Sequence, residues 1–266
     1  MQKDIERTRS SFSRQTVLLI LVLAVSLAGC GELSSEPAGE VSNAALNPTS
    51  APASTLLPAD TPGLIQSAPE VSLVVPAAAP PILDGTISPG EWDPAVIADY
   101  QDGSQLMMMH AEGVLYLAIR ASAPEIIMAN IFVQRGDQIS ILHSSAALGM
   151  AKYAPSGGVW NLTQNFTWRC RDTGFSQAAQ AERDEFWQQE GWLAANARMG
   201  TPNQLEYQIS LAEEITSMAV IFVQELVPIP FPVGLADACV QTYPQGLPEE
   251  MQFSVEDWVG LELVED

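Results

Sequence analysis

Lysine is nearly missing from this chain. Only Lys3 and Lys152 occur in 266 residues, and Lys and Arg together number 11 against 32 Asp and Glu. A surface this acidic repels phosphate backbones, which excludes nucleic acid as a partner. Histidine is equally scarce, with His110 and His143 alone. No H-x-x-x-H or C-x-x-C spacing occurs, so the familiar transition-metal cages are absent. There is no G-x-S-x-G elbow and no phosphate-binding loop. His143 adjoins Ser144 and Ser145, but neighbours on a strand face opposite ways. The acids Glu182, Asp184 and Glu185 are the solvated face of an expected helix. The chain therefore reads as non-catalytic. No internal repeat or sustained heptad is present, and the longest apolar run, residues 17–28, is shorter than the roughly 20 residues a membrane span needs.

That run has a clear use. Residues 1–16 are polar and carry Lys3, Arg7, Arg9 and Arg14, and VLLILVLAVSLA follows, then Gly29 and Cys30. Basic, apolar and small-residue segments in that order make an export signal over 1–29. Leu27-Ala28-Gly29-Cys30 resembles the lipobox of bacterial lipoproteins, which implies lipidation of Cys30 and a membrane anchor made of acyl chains alone. Residues 31–70 are rich in Ser, Ala, Pro, Thr and Glu, with no aromatic residue. Such a segment cannot offset its ordering entropy by burial, so a flexible tether is expected over 30–70. Without residues 1–29 the chain keeps 7 basic and 30 acidic residues, a net charge of −23. Two cysteines then remain, Cys170 and Cys239; in an exported protein a leftover pair is expected to form a disulfide, with two buried thiols as the alternative.

Residues 71–266 are long enough for one domain with a real core. Gln204–Leu211 alternates cleanly, with Leu205, Tyr207, Ile209 and Leu211 opposite Glu206, Gln208 and Ser210. Gly113–Ala121 sets Leu115, Leu117 and Ile119 against Tyr116 and Arg120. Further strands are expected at 71–75, 105–110, 126–134, 138–143, 165–171, 193–199, 218–224 and 258–264. Ser176–Gln189 has helix formers and no Gly or Pro, which predicts a single helix. Short strands with Gly, Pro, Asn and Asp between them predict an all-β fold, an antiparallel immunoglobulin-like sandwich with one inserted helix.

The stretch PPILDGTISPGEW, residues 80–92, opens this domain with two turns, Asp84-Gly85 and Pro89-Gly90. Together with EGVLYLAIRA and LEYQISL, it resembles the family 9 carbohydrate-binding modules and their DOMON-like relatives. The residues carrying the resemblance are Pro81, Ile82, Asp84, Gly85, Glu91, Trp92, Leu115, Tyr116, Leu117 and Ile119. It implies a β-sandwich that binds a ligand, carbohydrate foremost, with Trp92 as a core cap. It also raises structural calcium, with Asp84, Glu91 and Asp93 as weak ligand candidates, and haem, which DOMON relatives bind through Met and His. Haem fits poorly. Met108 and His110 point the same way along a strand, so a second ligand would have to come from His143 or Met150.

Candidate ligand residues follow from chemistry. Sugar sites combine flat aromatic faces with amides, carboxylates and guanidinium groups. Trp160 follows Gly157-Gly158 and is expected in a loop as a platform, with Arg169 and Arg171 nearby. The alternative for these arginines is surface ion pairing, which contributes little. Phe166, Trp168 and Cys170 should share a core-facing side. Tyr116 and Arg120, opposite the core stripe, are second candidates. A protein partner at the cell surface is the rival class to carbohydrate, and the oligomeric state is open.

Overall fold

The computed structural model describes residues 69–171, 174–196, 198–233, 235 and 246–264. They form an all-β sandwich. The larger sheet contains β1 (Val71–Val75), β5 (Met128–Arg135), β6 (Gln138–Ser144), β7 (Leu148–Ser156), β8 (Val159–Cys170), β11 (Ser217–Gln224), β12 (Val227–Phe231), β13 (Glu250–Met251) and β14 (Val259–Leu263). Its order is β1-β14-β11-β5-β6-β7-β8-β13, with β12 also paired to β11. The smaller sheet runs β2 (Val96–Asp99), β3 (Gln105–Ala111), β4 (Val114–Arg120), β10 (Gln204–Ser210) and β9 (Trp192–Ala195). The β1–β14 pair is parallel, while the hairpin neighbours are antiparallel. Among the described residues no helix is long and apolar enough to cross a membrane.

The single helix α1 spans Gln177–Glu190. Ser176 caps it, its hydroxyl accepting from the Ala179 amide at 3.1 Å, and Gly191 ends it in the left-handed region at φ 67°. Phe186 reaches the core and meets Trp192 edge-on at 5.0 Å. Arg183 is also buried, beside the Met199 sulfur.

The core lies between the sheets. Leu106, Leu117, Ile119 and Tyr207 from one sheet pack with Ile131, Val133, Val220 and Phe222 from the other. Both outer faces are covered as well. Phe253, Val255 and Trp258 lie over Phe132, Ile139, Ile141 and Tyr153 on the larger sheet. Ile87 and Trp92, from the stretch before β2, lie over Met107, Met109 and Tyr116 on the smaller one. This layering explains why strands such as SMAVIFVQ are apolar throughout rather than alternating.

The 82–92 strap is fastened from within and from below. Glu91 accepts from the Ile82 amide at 2.6 Å and the Ser88 amide at 3.1 Å, and Asp84 accepts from the Thr86 amide at 2.8 Å. Beneath the strap, Glu206 is fully buried and accepts from the amides of Asp84 (3.1 Å) and Gly85 (2.7 Å) and from Trp92 Nε1 (3.1 Å). Gly85 needs its φ of 82°, and it packs so closely on Gly200 that neither has room for a Cβ. Alternation places Glu206 opposite Leu205, as expected. The side that carries Glu206 is not open to water there, because the strap seals it.

Candidate functional site

The structure buries two of the five predicted ligand residues, Trp160 and Tyr116. Trp160 is not in a loop. It is the second residue of β8, 3 % exposed, and packs on Phe253 at 6.1 Å. An aromatic so placed is a packing element and offers no open face to a sugar. Tyr116 is 7 % exposed beneath the strap, so the side opposite the core stripe is not free either. Arg120 ends β4 and donates to Gln105 Oε1 at 3.3 Å. Arg171 is exposed beyond β8, where its backbone amide donates to Glu182 at 2.7 Å. Cys30 and Cys239 lie outside the described residues, and with Cys239 the expected pairing to Cys170.

Cys170 does not share a face with Phe166 and Trp168. The β7–β8 register skips Arg169, since Leu148 faces Cys170 while Gly149 faces Trp168. This bulge turns Cys170 into the core between the sheets and leaves the two rings outside. There Phe166 and Trp168 stand edge-on to His143, at 5.8 and 5.4 Å, and bare Gly149 gives Phe166 its space. His143 Nδ1 is 2.8 Å from Asn130 Oδ1, and burial pushes the imidazole down to about 4, so it is neutral at physiological pH. His110 lies on the smaller sheet, 2.9 Å from the Val264 carbonyl. The two histidines do not converge. Met150 faces the core, away from His143. Among the described residues no group of three or more His, Cys, Asp or Glu is arranged to hold a metal ion, and the carboxylates of Asp84 and Glu91 are turned onto backbone amides.

One predicted residue does lead to a cleft. The bulge sends Arg169 towards the C-terminal end of α1, where it pairs with Glu190 at 2.6 Å and lies 3.4 Å from Gln189 Oε1. Glu190 and Gln189 form one wall of a cleft of about 460 Å³. The floor is the core-facing side of two paired strands: Ser140 lies opposite Lys152, and Leu142 opposite Met150. Arg135 and Gln138, at the β5–β6 turn, form the second wall, and Ser210, Ala212 and Glu213 the third. The smaller sheet stops short here, so the larger sheet's inner face opens to solvent. Gly191 anchors the corner, its carbonyl accepting from the Ser210 amide at 2.8 Å.

The cleft gathers scarce charge. Two of the seven cations beyond Cys30, Arg135 and Lys152, line it, and a third, Arg169, pairs with a lining carboxylate. Arg135 donates to the Ser210 carbonyl at 3.0 Å, and burial lowers its pKa against the pull of Glu213. Arg169–Glu190 is the one ion pair among the described residues, so Lys152 faces the cleft without one. Three amides, two hydroxyls, two cations and two carboxylates thus surround a small apolar floor, with no aromatic ring in the lining. That set can hydrogen-bond a polyhydroxylated ligand in both senses, as donor and as acceptor. It holds no nucleophile paired to a base. Sequence reasoning found Arg169 by residue type, as a guanidinium near an aromatic residue. It missed Arg135 and Lys152, whose only signal was the scarcity of cations. Comparison of the chain with protein-family models, characterised proteins and solved structures returns no match.

Proposed function

We propose that this chain is an exported lipoprotein, anchored by acyl chains on Cys30 and set off from the membrane by residues 31–70. Its β-sandwich binds a carbohydrate without transforming it. The anchor rests on the basic and apolar order of residues 1–29 ending at Leu27-Ala28-Gly29-Cys30. The observation that carries the ligand class is the cleft: amides, hydroxyls and three of the rare cations converge where the inner face of the larger sheet is left open.

Two experiments test the two halves. Cells fed a labelled fatty acid should label the wild-type chain and not Cys30→Ser; equal labelling of both would remove the anchor. For the ligand, the chain from Gly31 onward is screened against a glycan panel. A binding glycan should lose about tenfold or more in affinity in Lys152→Gln, the worth of one charge-assisted hydrogen bond. Affinity unchanged in Lys152→Gln and in Gln189→Ala would place the ligand elsewhere. No binding across neutral and acidic glycans would favour a protein partner.

A further inference from the structure

A second concavity lies at the other end of β5 and β11, sharing no residue with the cleft. It is a groove of about 590 Å³ between the β2–β3 turn of the smaller sheet and the β11–β12 hairpin of the larger. One wall is apolar: Val227, Pro228, Ile229, Pro230 and Val233. Prolines at alternate positions of β12 remove amides that an added strand would need, so this edge does not recruit one. The other wall is Tyr100, whose ring meets Phe222 edge-on at 5.4 Å and closes the gap between the sheets. Its hydroxyl is buried with no hydrogen-bond partner.

Three carboxylates, Asp99, Asp102 and Glu225, stand among the lining residues, and no Lys, Arg or His does. Asp102 is held in place by Ser104 N (3.0 Å), Ser104 Oγ (2.8 Å), Ser122 Oγ (3.3 Å) and Gln224 Nε2 (2.7 Å). Burial works against its charge, but the bonds from Ser104 and Ser122 outweigh it and keep its pKa below the usual value. Glu225 and Leu226 form the hairpin turn at φ 50° and 65°, with no glycine to relieve them. The turn leaves Leu226 90 % exposed and Val227 57 % exposed at the rim. Exposed apolar side chains beside fixed negative charge do not serve solubility.

We propose that this groove is a binding site for an organic cation carried on an apolar body. The apolar part would lie along Val227, Ile229 and the prolines. The cationic centre would sit among Asp99, Asp102 and Glu225, within reach of the Tyr100 ring face. The volume suits a small molecule of drug-like size.

The test titrates octyltrimethylammonium, below its micelle concentration, into the chain from Gly31 onward, which retains every described residue. Octyl sulfate and 1-octanol are the comparisons. The cation should bind saturably, 1-octanol at least about fivefold more weakly, and octyl sulfate not at all, as expected for a few partly exposed carboxylates acting together. Asp99→Asn with Glu225→Gln should cost the cation about fivefold and leave 1-octanol unchanged. A net-charge attraction of the whole acidic protein would be nearly the same in this double variant, so unchanged affinity overturns the site. Equal binding of all three ligands, or no saturable binding of the cation, overturns it too. Loss of cation binding alone would leave the glycan cleft untouched, because the two sites share no residue.

Discussion

Glu206→Ala is expected to lower the stability of the domain by about 3 to 5 kcal/mol. The change strands three buried donors, the amides of Asp84 and Gly85 and the Trp92 indole N–H. Each donor left without an acceptor costs about 1 to 3 kcal/mol, and water entering under the strap returns part of it. Equilibrium urea unfolding measures the loss directly. Increased protease cleavage between residues 82 and 92 should accompany it, since the strap would detach from the smaller sheet first. A loss below 1 kcal/mol would mean that apolar contacts hold the strap without the acid. The same residue sets a pH dependence. Burial pushes the Glu206 carboxyl up to about 7 from 4.5, against the bonds from Gly85 and Trp92; the charges of Glu91 and Asp84 add to the rise. A raised acid pKa means that the folded state holds the proton more tightly. The contribution is therefore complete below about pH 4.5 and lost as pH rises to about 7, at most roughly 3 kcal/mol from about 1.4 kcal/mol per unit. Wild type should lose more stability than Glu206→Gln between pH 5 and pH 8. The reverse order would show that the three donors outweigh burial.

Trp258→Ala should cost a similar amount by a different route. Trp258 is 1 % exposed and packs on Phe132 at 5.9 Å and Phe253 at 5.8 Å, sealing the outer face of the larger sheet. Its indole nitrogen is buried without a partner, so its removal breaks no side-chain hydrogen bond. What is lost is contact area and filled volume, worth about 3 to 5 kcal/mol for a buried Trp→Ala change. In a domain of this size that corresponds to a melting temperature roughly 10 °C lower. Trp258→Phe should recover more than half of the loss, since a ring is restored and an unsatisfied N–H is gone. A Phe variant as unstable as the Ala variant would assign the residue a polar role that its surroundings do not explain.

Much of the secondary structure was legible in local pattern. Val71–Val75 matched at both ends, and the capped helix and the 204–210 strand were recovered within a residue at each end. Period-2 alternation needs only neighbouring residues, and a Ser cap followed by helix formers is equally local. Strands at 96–99, 148–156 and 159–164 were missed. The first is only four residues long and the other two carry Gly, Pro or Asn; pairing to neighbours holds all three extended.

The candidate site was barely legible. Arg169 stood out as a guanidinium near an aromatic residue, but Arg135 and Lys152 become its neighbours only when β5, β7 and the end of α1 meet. Tyr116 was assigned to an open face because alternation tells which residues share a side, not whether that side is covered; Trp160 was assigned to a loop because Gly157-Gly158 precedes it, and those glycines form the turn before β8. What the sequence alone determined is local: an acidic charge balance, a capped helix, and strands whose alternate residues share a side. Only the tertiary structure decided what each outside touches. The strap over Glu206 comes from more than a hundred residues away along the chain, and Trp160 is covered by a ring some ninety residues downstream. Burial is a sum over all such contacts, so no single stretch of chain can specify it.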